Sequence, residues 1–207
     1  MVQYGEFSDV QIDVLKELGN IGSGNAATAL ATMMGKTIDM KVPAVRMYQY
    51  SELADLLGGP ENLIVGILID VVGDLEGTIM FLLEKSFTHE VINTLLGSAV
   101  EDFSQLSEMD LSVIQEIGNI LSASYINSIA SLTALNINIS VPAIAVDMAG
   151  AILSVPAVKY GGIGDSVLVI GGAFLDVDND NSAVSTKLIL ILEEASLNLL
   201  MERLGVN

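Results

Sequence analysis

Two short polar patterns stand 99 residues apart in this chain. Asp13-x-x-x-Glu17-x-x-Asn20 lies within DVLKELGNI, and Ser112-x-x-x-Glu116-x-x-Asn119 within SVIQEIGNI. A carboxylate followed three residues later by a carboxamide is an odd pair for a helix interior. Glutamate is a good helix former, but the asparagine side chain competes for backbone hydrogen bonds and favours caps and turns. A second pair at a fixed offset points to use rather than to folding. Asparagine is neither acid nor base near neutral pH, yet it donates and accepts hydrogen bonds and so can hold a water in line for attack. Glutamate can pair with a lysine or arginine of a partner. Neither is a covalent nucleophile in this setting, and no Ser-His-Asp or metal set accompanies them. Such a pair would complete an active site supplied by another molecule. Phosphoryl transfer suits that division, because its catalysis is mostly positioning and charge stabilisation.

The elements that must hold these residues are two long helices. Positions i, i+4 and i+7 share a helix face, so Asp13, Glu17 and Asn20 form one polar stripe and Ser112, Glu116 and Asn119 another. Val14, Leu18 and Ile21, matched by Val113, Ile117 and Ile120, form the neighbouring stripe that can face a core. Ser8 followed by Gln11, and Ser107 followed by Asp110, mark the helix starts as capping boxes. The first helix is expected to run to about Met34, ahead of Gly35, and the second to about Leu135. The repeat continues beyond the helices: Val42-Pro43-Ala44-Val45 returns as Val141-Pro142-Ala143-Ile144 at the same offset. A gapless match of this length indicates duplication. The chain is therefore expected to be a single domain, residues 1–207, of two repeats at about 8–98 and 107–205.

Each half is expected to run helix, strand, short helix, strand, strand, helix. The spacing predicts strands over Thr37 to Met47 and Asn136 to Met148, each interrupted by a proline that must lie at a bulge or a free edge. Further strands are expected over Leu63 to Asp70, Thr78 to Leu83, Ala151 to Val158, Ser166 to Phe174 and Lys187 to Leu192. Closing helices are expected over Lys85 to Leu96 and Glu193 to Leu204. The fold class is α+β, with duplicated halves in pseudo-two-fold symmetry. A mostly antiparallel central sheet would carry the two motif-bearing helices on its surface.

Composition removes most other ways of making a site. There is no cysteine and a single histidine, His89, so thiol chemistry and His-pair metal motifs are excluded. The formal charge is −18, from 26 acids against 8 bases, which repels nucleic acid and anionic lipid. The phosphate chemistry suggested by the polar pair would need positive charge from a partner or a metal. Mean hydropathy is high at +0.59, but no run approaches the ~20 apolar residues of a spanning helix. The N-terminal segment lacks a signal core, so a cytoplasmic protein is expected. Asp176 to Ser185 contains DVDNDNS, which resembles the start of a calcium loop. Without the glycine and terminal glutamate of an EF-hand it reads as a solvated hairpin turn. Gly19, Gly22 and Gly24 sit inside a helical pattern rather than after a strand, so close helix packing is preferred to a phosphate loop.

The segments ELGNIGSGNAATAL and EIGNILSASYINSI carry a pattern, [D/S]-x-x-x-E-x-x-N twice per chain, that resembles the CheC, CheX and FliY family of bacterial chemotaxis phosphatases. The likeness covers essentially the whole chain, and the two-site form without a switch domain matches the stand-alone members. The resemblance implies hydrolysis of the aspartyl phosphate on the response regulator CheY. Glu17 and Glu116 would then pair with the regulator's active-site lysine, and Asn20 and Asn119 would orient the attacking water. Asp13 and Ser112 would contribute to regulator binding, and their difference suggests unequal half-sites. The resemblance implies no cofactor of the chain's own, Mg2+ in the regulator, and CheD as a second partner. A monomer is expected. A non-catalytic adaptor that only binds CheD or the regulator is the competing reading, and a small-molecule-binding α+β domain is a third. The asparagine in both halves favours catalysis over the first. The lack of a convergent His, Arg or Cys set argues against the second.

Overall fold

The structure is a computed structural model that describes residues 7–100, 102–160, 166–176 and 182–206. Both long helices begin where the capping residues place them. In α1 (Asp9–Met34) the Gln11 amide donates to Ser8 Oγ, and the Ser8 amide donates to Gln11 Oε1. In α4 (Glu108–Thr133) Ser107 and Asp110 make the same reciprocal pair. The helices also end alike: Gly35 terminates α1 in the left-handed region at φ 62°, and Ala134 terminates α4 at φ 55°.

Between and after them lie β1 (Ile38–Gln49), the short α2 (Leu53–Leu56), β2 (Leu63–Gly73), β3 (Gly77–Leu83) and α3 (Lys85–Leu96). The second half supplies β4 (Ile137–Ile139), β5 (Ala143–Met148), α5 (Ala149–Tyr160), β6 (Ser166–Asp176), β7 (Ser182–Leu192) and α6 (Glu194–Arg203). All strand pairs are antiparallel, in the order β1-β6-β7-β3-β2, with β4 and β5 end to end along the far edge of β2. Each half's first strand therefore pairs with the other half's hairpin, and β3 meets β7 at the centre. This is the pseudo-two-fold arrangement expected from the repeat.

The two prolines mark equivalent faults on the two edges. The β1–β6 register shifts between Lys41 and Ala44, around Pro43. On the other edge Ser140 to Pro142 leaves the ladder altogether, so the expected single strand is two, β4 and β5. The Ser140 amide and hydroxyl hold that gap closed against the Asp70 backbone. Proline has no N–H to give a ladder, which explains both positions.

The sheet is covered on both faces. Val65, Ile67, Ile69, Ile79 and Phe81 face the core built with α1, α3, α4 and α6. Ile64, Met80, Leu82 and Ile189 face a smaller core under α2 and α5. Every residue of β3 is buried, consistent with its apolar run from Ile79 to Leu83. The expected strand over Ala151 to Val158 is instead helix α5. A short apolar run rich in β-branched residues carries no decisive periodicity, and the register of neighbouring strands leaves no place for it in the sheet. The DVDNDNS hairpin is closed by Asp176 pairing with Ser182. Residues 177–181, on which the calcium-like reading falls, lie outside the described residues.

Candidate functional site

Of the expected apolar stripes Leu18, Val113 and Ile117 are buried, while Val14, Ile21 and Ile120 are only half-buried; Leu15, Ala26 and Leu30 on α1 and Leu121 on α4 complete the inward faces. That burial fixes the opposite face outward. Glu17 and Glu116 are exposed, and so are Asp13 and Ser112. Each motif closes on itself in the same way. Asn20 Nδ2 donates to Glu17 Oε2 at 3.5 Å, and Asn119 Nδ2 donates to Glu116 Oε2 at 3.3 Å. The long i, i+3 hydrogen bond orients each carboxamide along the helix surface beside its carboxylate, where a partner could displace it.

The two copies differ in their surroundings. Asn119 is exposed, whereas Asn20 is half-buried and its Oδ1 is enclosed without a hydrogen-bond partner. The bond from Nδ2 to Glu17 fixes which end of the amide faces inward. A water-holding role at this site needs the amide to turn outward. Asp13 is engaged by Lys16 at 2.8 Å, while Ser112 Oγ donates to the Glu108 carbonyl at 2.9 Å. Asp13 thus adds a paired charge rather than a bare one near Glu17, and Gln115 stands where Lys16 does in the other half.

Beneath the stripes the two helices are joined by polar contacts that the sequence pattern did not reveal. Tyr125 Oη and Ser23 Oγ share a hydrogen bond of 2.5 Å, and Asn25 Nδ2 donates to Ser128 Oγ at 3.2 Å. Burial pushes the Tyr125 phenol above its ordinary pKa, opposed in part by the Ser23 hydroxyl. The Tyr125 ring lies over Gly22, where a Cβ would come within 2.7 Å of Cδ1. Gly22 is thus a packing glycine, as the helical context indicated. Gly24, with open space around it, is not. The usable sequence signal was the Gly22-Ser23 step, which allows close approach, opposite the one aromatic residue of α4.

Chemically, the surface offers two hydrogen-bonded Glu–Asn pairs on rigid helices. Among the described residues no group of three or more His, Cys, Asp or Glu side chains could hold a metal ion, and no helix is long and apolar enough to cross a membrane.

The model of the CheC-like family matches residues 10–47 and 109–146, two segments again 99 residues apart, each holding a motif helix and most of the strand region after it. The chain is 33% identical over 175 residues, 84% of each sequence, to a Bacillus subtilis (strain 168) protein named CheY-P phosphatase CheC. It is 27% identical over 138 residues to the flagellar motor switch phosphatase FliY of the same organism, covering 66% of this chain and 36% of that protein. The crystal structure of Thermotoga maritima FliY superposes with a TM-score of 0.72 at 22% identity, over 96% of this chain and 98% of that one. That likeness shows the shared fold.

Proposed function

The chain belongs to the CheC-like family, and on that premise we propose that it is a chemotaxis phosphatase that hydrolyses the aspartyl phosphate of the response regulator CheY. The observation that carries this reading is the hydrogen-bonded Glu–Asn pair on both motif helices, with the glutamate exposed in each. Each carboxylate would accept the regulator's active-site lysine, which draws it away from the asparagine. The released carboxamide would then reach the phosphoryl group and accept a hydrogen bond from a water in line with it. As that water's oxygen bonds to phosphorus, the bond from phosphorus to the regulator's aspartate oxygen breaks. The aspartate leaves as a carboxylate and inorganic phosphate departs. The Mg2+ bound in the regulator would offset the developing charge on the phosphoryl oxygens. Asp13 and Ser112 sit one turn before the glutamates, where they would contact the docked regulator. CheD is the second partner on this reading, and the cytoplasm the site of action.

The reading also explains a chain with such negative charge handling a phosphoryl group: the cations belong to the partner. The test is phosphate release from phosphorylated CheY with and without the protein. It is repeated with Asn20→Ala, Asn119→Ala and both. The parent should accelerate release, and the double variant should lose the acceleration by about 100-fold or more, as positioning effects of this kind do. A double variant as active as the parent would remove the asparagines from the mechanism. A parent that binds CheY without accelerating release would be an adaptor.

A further inference from the structure

The outward face of each motif helix carries one more repeated feature. Val10 is the second residue of α1 and Met109 the second residue of α4, again 99 apart, and they are 61% and 62% exposed. At about 100° per residue, Val10, Asp13, Glu17 and Asn20 fall within an arc of roughly 80°, with Val10 about 20° from Glu17. The helical rise puts Val10 about 10 Å from Glu17 towards the helix start. Met109 stands in the same relation to Glu116 and Asn119.

One exposed apolar side chain calls for no explanation. The pair does, because of what changed around it. Between the halves Asp13 became Ser112 and Lys16 became Gln115, changes of chemical class. Val10 and Met109 differ in length and branching, yet both are apolar and equally exposed. Folding does not ask for this: the first turn of a helix favours acidic residues, and valine is a poor helix former. The polar pair, for its part, cannot supply much docking affinity. Exposed ion pairs contribute little net binding, and an asparagine–water contact largely exchanges one hydrogen bond for another. Affinity at interfaces comes chiefly from a few apolar anchors that lose water on contact.

We propose that Val10 and Met109 are the apolar anchors of the two half-sites. Each would insert into an apolar depression on the rim of the regulator's active site, about two helical turns from the lysine held by Glu17 or Glu116. This rests on the proposed function for the identity of the partner and names the residues that set its affinity. Met109, unbranched and adaptable, can fill the same depression as Val10 by adjusting its rotamers.

The test uses near-isosteric polar replacements, Val10→Thr and Met109→Gln, on the full chain. Binding of CheY loaded with beryllofluoride, a phosphoryl analogue, is measured first. The V10T/M109Q double variant should bind about tenfold more weakly, the size expected for losing one buried aliphatic contact at each site. Val10→Ile and Met109→Leu together should bind within about twofold of the parent. Steady-state phosphate release then isolates the halves: V10T in an N119A background and M109Q in an N20A background. In each, the loss should fall on KM rather than kcat. Parent-like binding and KM for the polar variants would overturn the proposal. So would an effect confined to self-association, which would make the patch a contact between copies. A parent that binds loaded CheY but releases no phosphate would sink the proposed catalysis and leave the anchors to be judged by binding alone.

Discussion

Tyr125 is the residue on which the geometry of the motif helices turns. Its ring lies between Gly22 of α1 and Phe81 of β3, 6.0 Å from the latter, and its hydroxyl meets Ser23. Tyr125→Phe should keep the ring contacts and leave the Ser23 hydroxyl, 1% exposed, without that partner. A loss of about 1 kcal/mol at pH 7 is expected in denaturant unfolding. The phenol also predicts a pH dependence. Its folded pKa lies above the ordinary value of a tyrosine, because burial disfavours the phenolate. The unfolded chain therefore releases this proton first as pH rises, and stability falls from about pH 10 upward. Phe lacks that titration, so the gap between parent and variant should be full below about pH 9 and shrink above it. A gap that stays constant to pH 11 would show that the phenol is not held protonated. The Glu–Asn pairs were legible in sequence because a residue awkward in a helix stands three places after a glutamate twice, 99 residues apart. Tyr125 was not, because an aromatic in a helix reads as ordinary core until its neighbour across the helix pair is known. The enclosed Asn20 Oδ1 was beyond the sequence for the same reason: its counterpart Asn119 has the same type and spacing but a different environment.

At the scale of elements, helix α1 carries two glycines only two residues apart with opposite reasons for being there. Gly22→Ala would place Cβ 2.7 Å from the Tyr125 ring, whose position is fixed on its other side by Phe81. Overpacking of this kind costs about 1–3 kcal/mol, which outweighs the roughly 1 kcal/mol that alanine gains in a helix. Gly24→Ala meets open space, and the other half already has Ala123 there. It should raise stability by up to about 1 kcal/mol. Unfolding midpoints of the two single variants should therefore move in opposite directions, and a common direction would show that helix propensity alone decides. Elements defined by caps and by long periodic stripes were read almost to the residue, as α1 was from Ser8 to Met34. Those whose identity depends on what they pack against were not. Helix α5 looked like a strand because Ile152, Leu153 and Val155 are β-branched or apolar whichever way the chain coils. Its place was set by the already paired edge of β2. The break between β4 and β5 was half legible: Pro142 announced a fault but not that three residues would leave the ladder.

At the scale of the whole molecule, the repeat does not divide the structure into two self-sufficient halves. The offset is 99 through the motif helices and the first strand, and reaches 108 by the closing Leu96-Gly97 and Leu204-Gly205. Insertions in the later hairpins blurred the repeat, so the strand order could not be read from it. The family match likewise stops at residue 47 in one half and 146 in the other. What the topology adds is exchange: β1 pairs with β6 of the second half, and β4 and β5 pair with β2 of the first. The centre is β3 against β7, and Tyr125 of one half packs on Gly22 of the other. A half on its own would expose both the edge of its hairpin and the underside of its motif helix, surfaces that the other half normally covers. Fragments 1–106 and 107–207 made as separate chains should each fail to give a folded monomer. Each should be unfolded or self-paired, since self-pairing offers the same two-fold surface. Mixed, they should form a one-to-one complex with cooperative unfolding. Sedimentation and circular dichroism of the separate and mixed fragments decide the matter. A single fragment that unfolds cooperatively as a monomer would mean that the strand exchange decorates the fold without holding it.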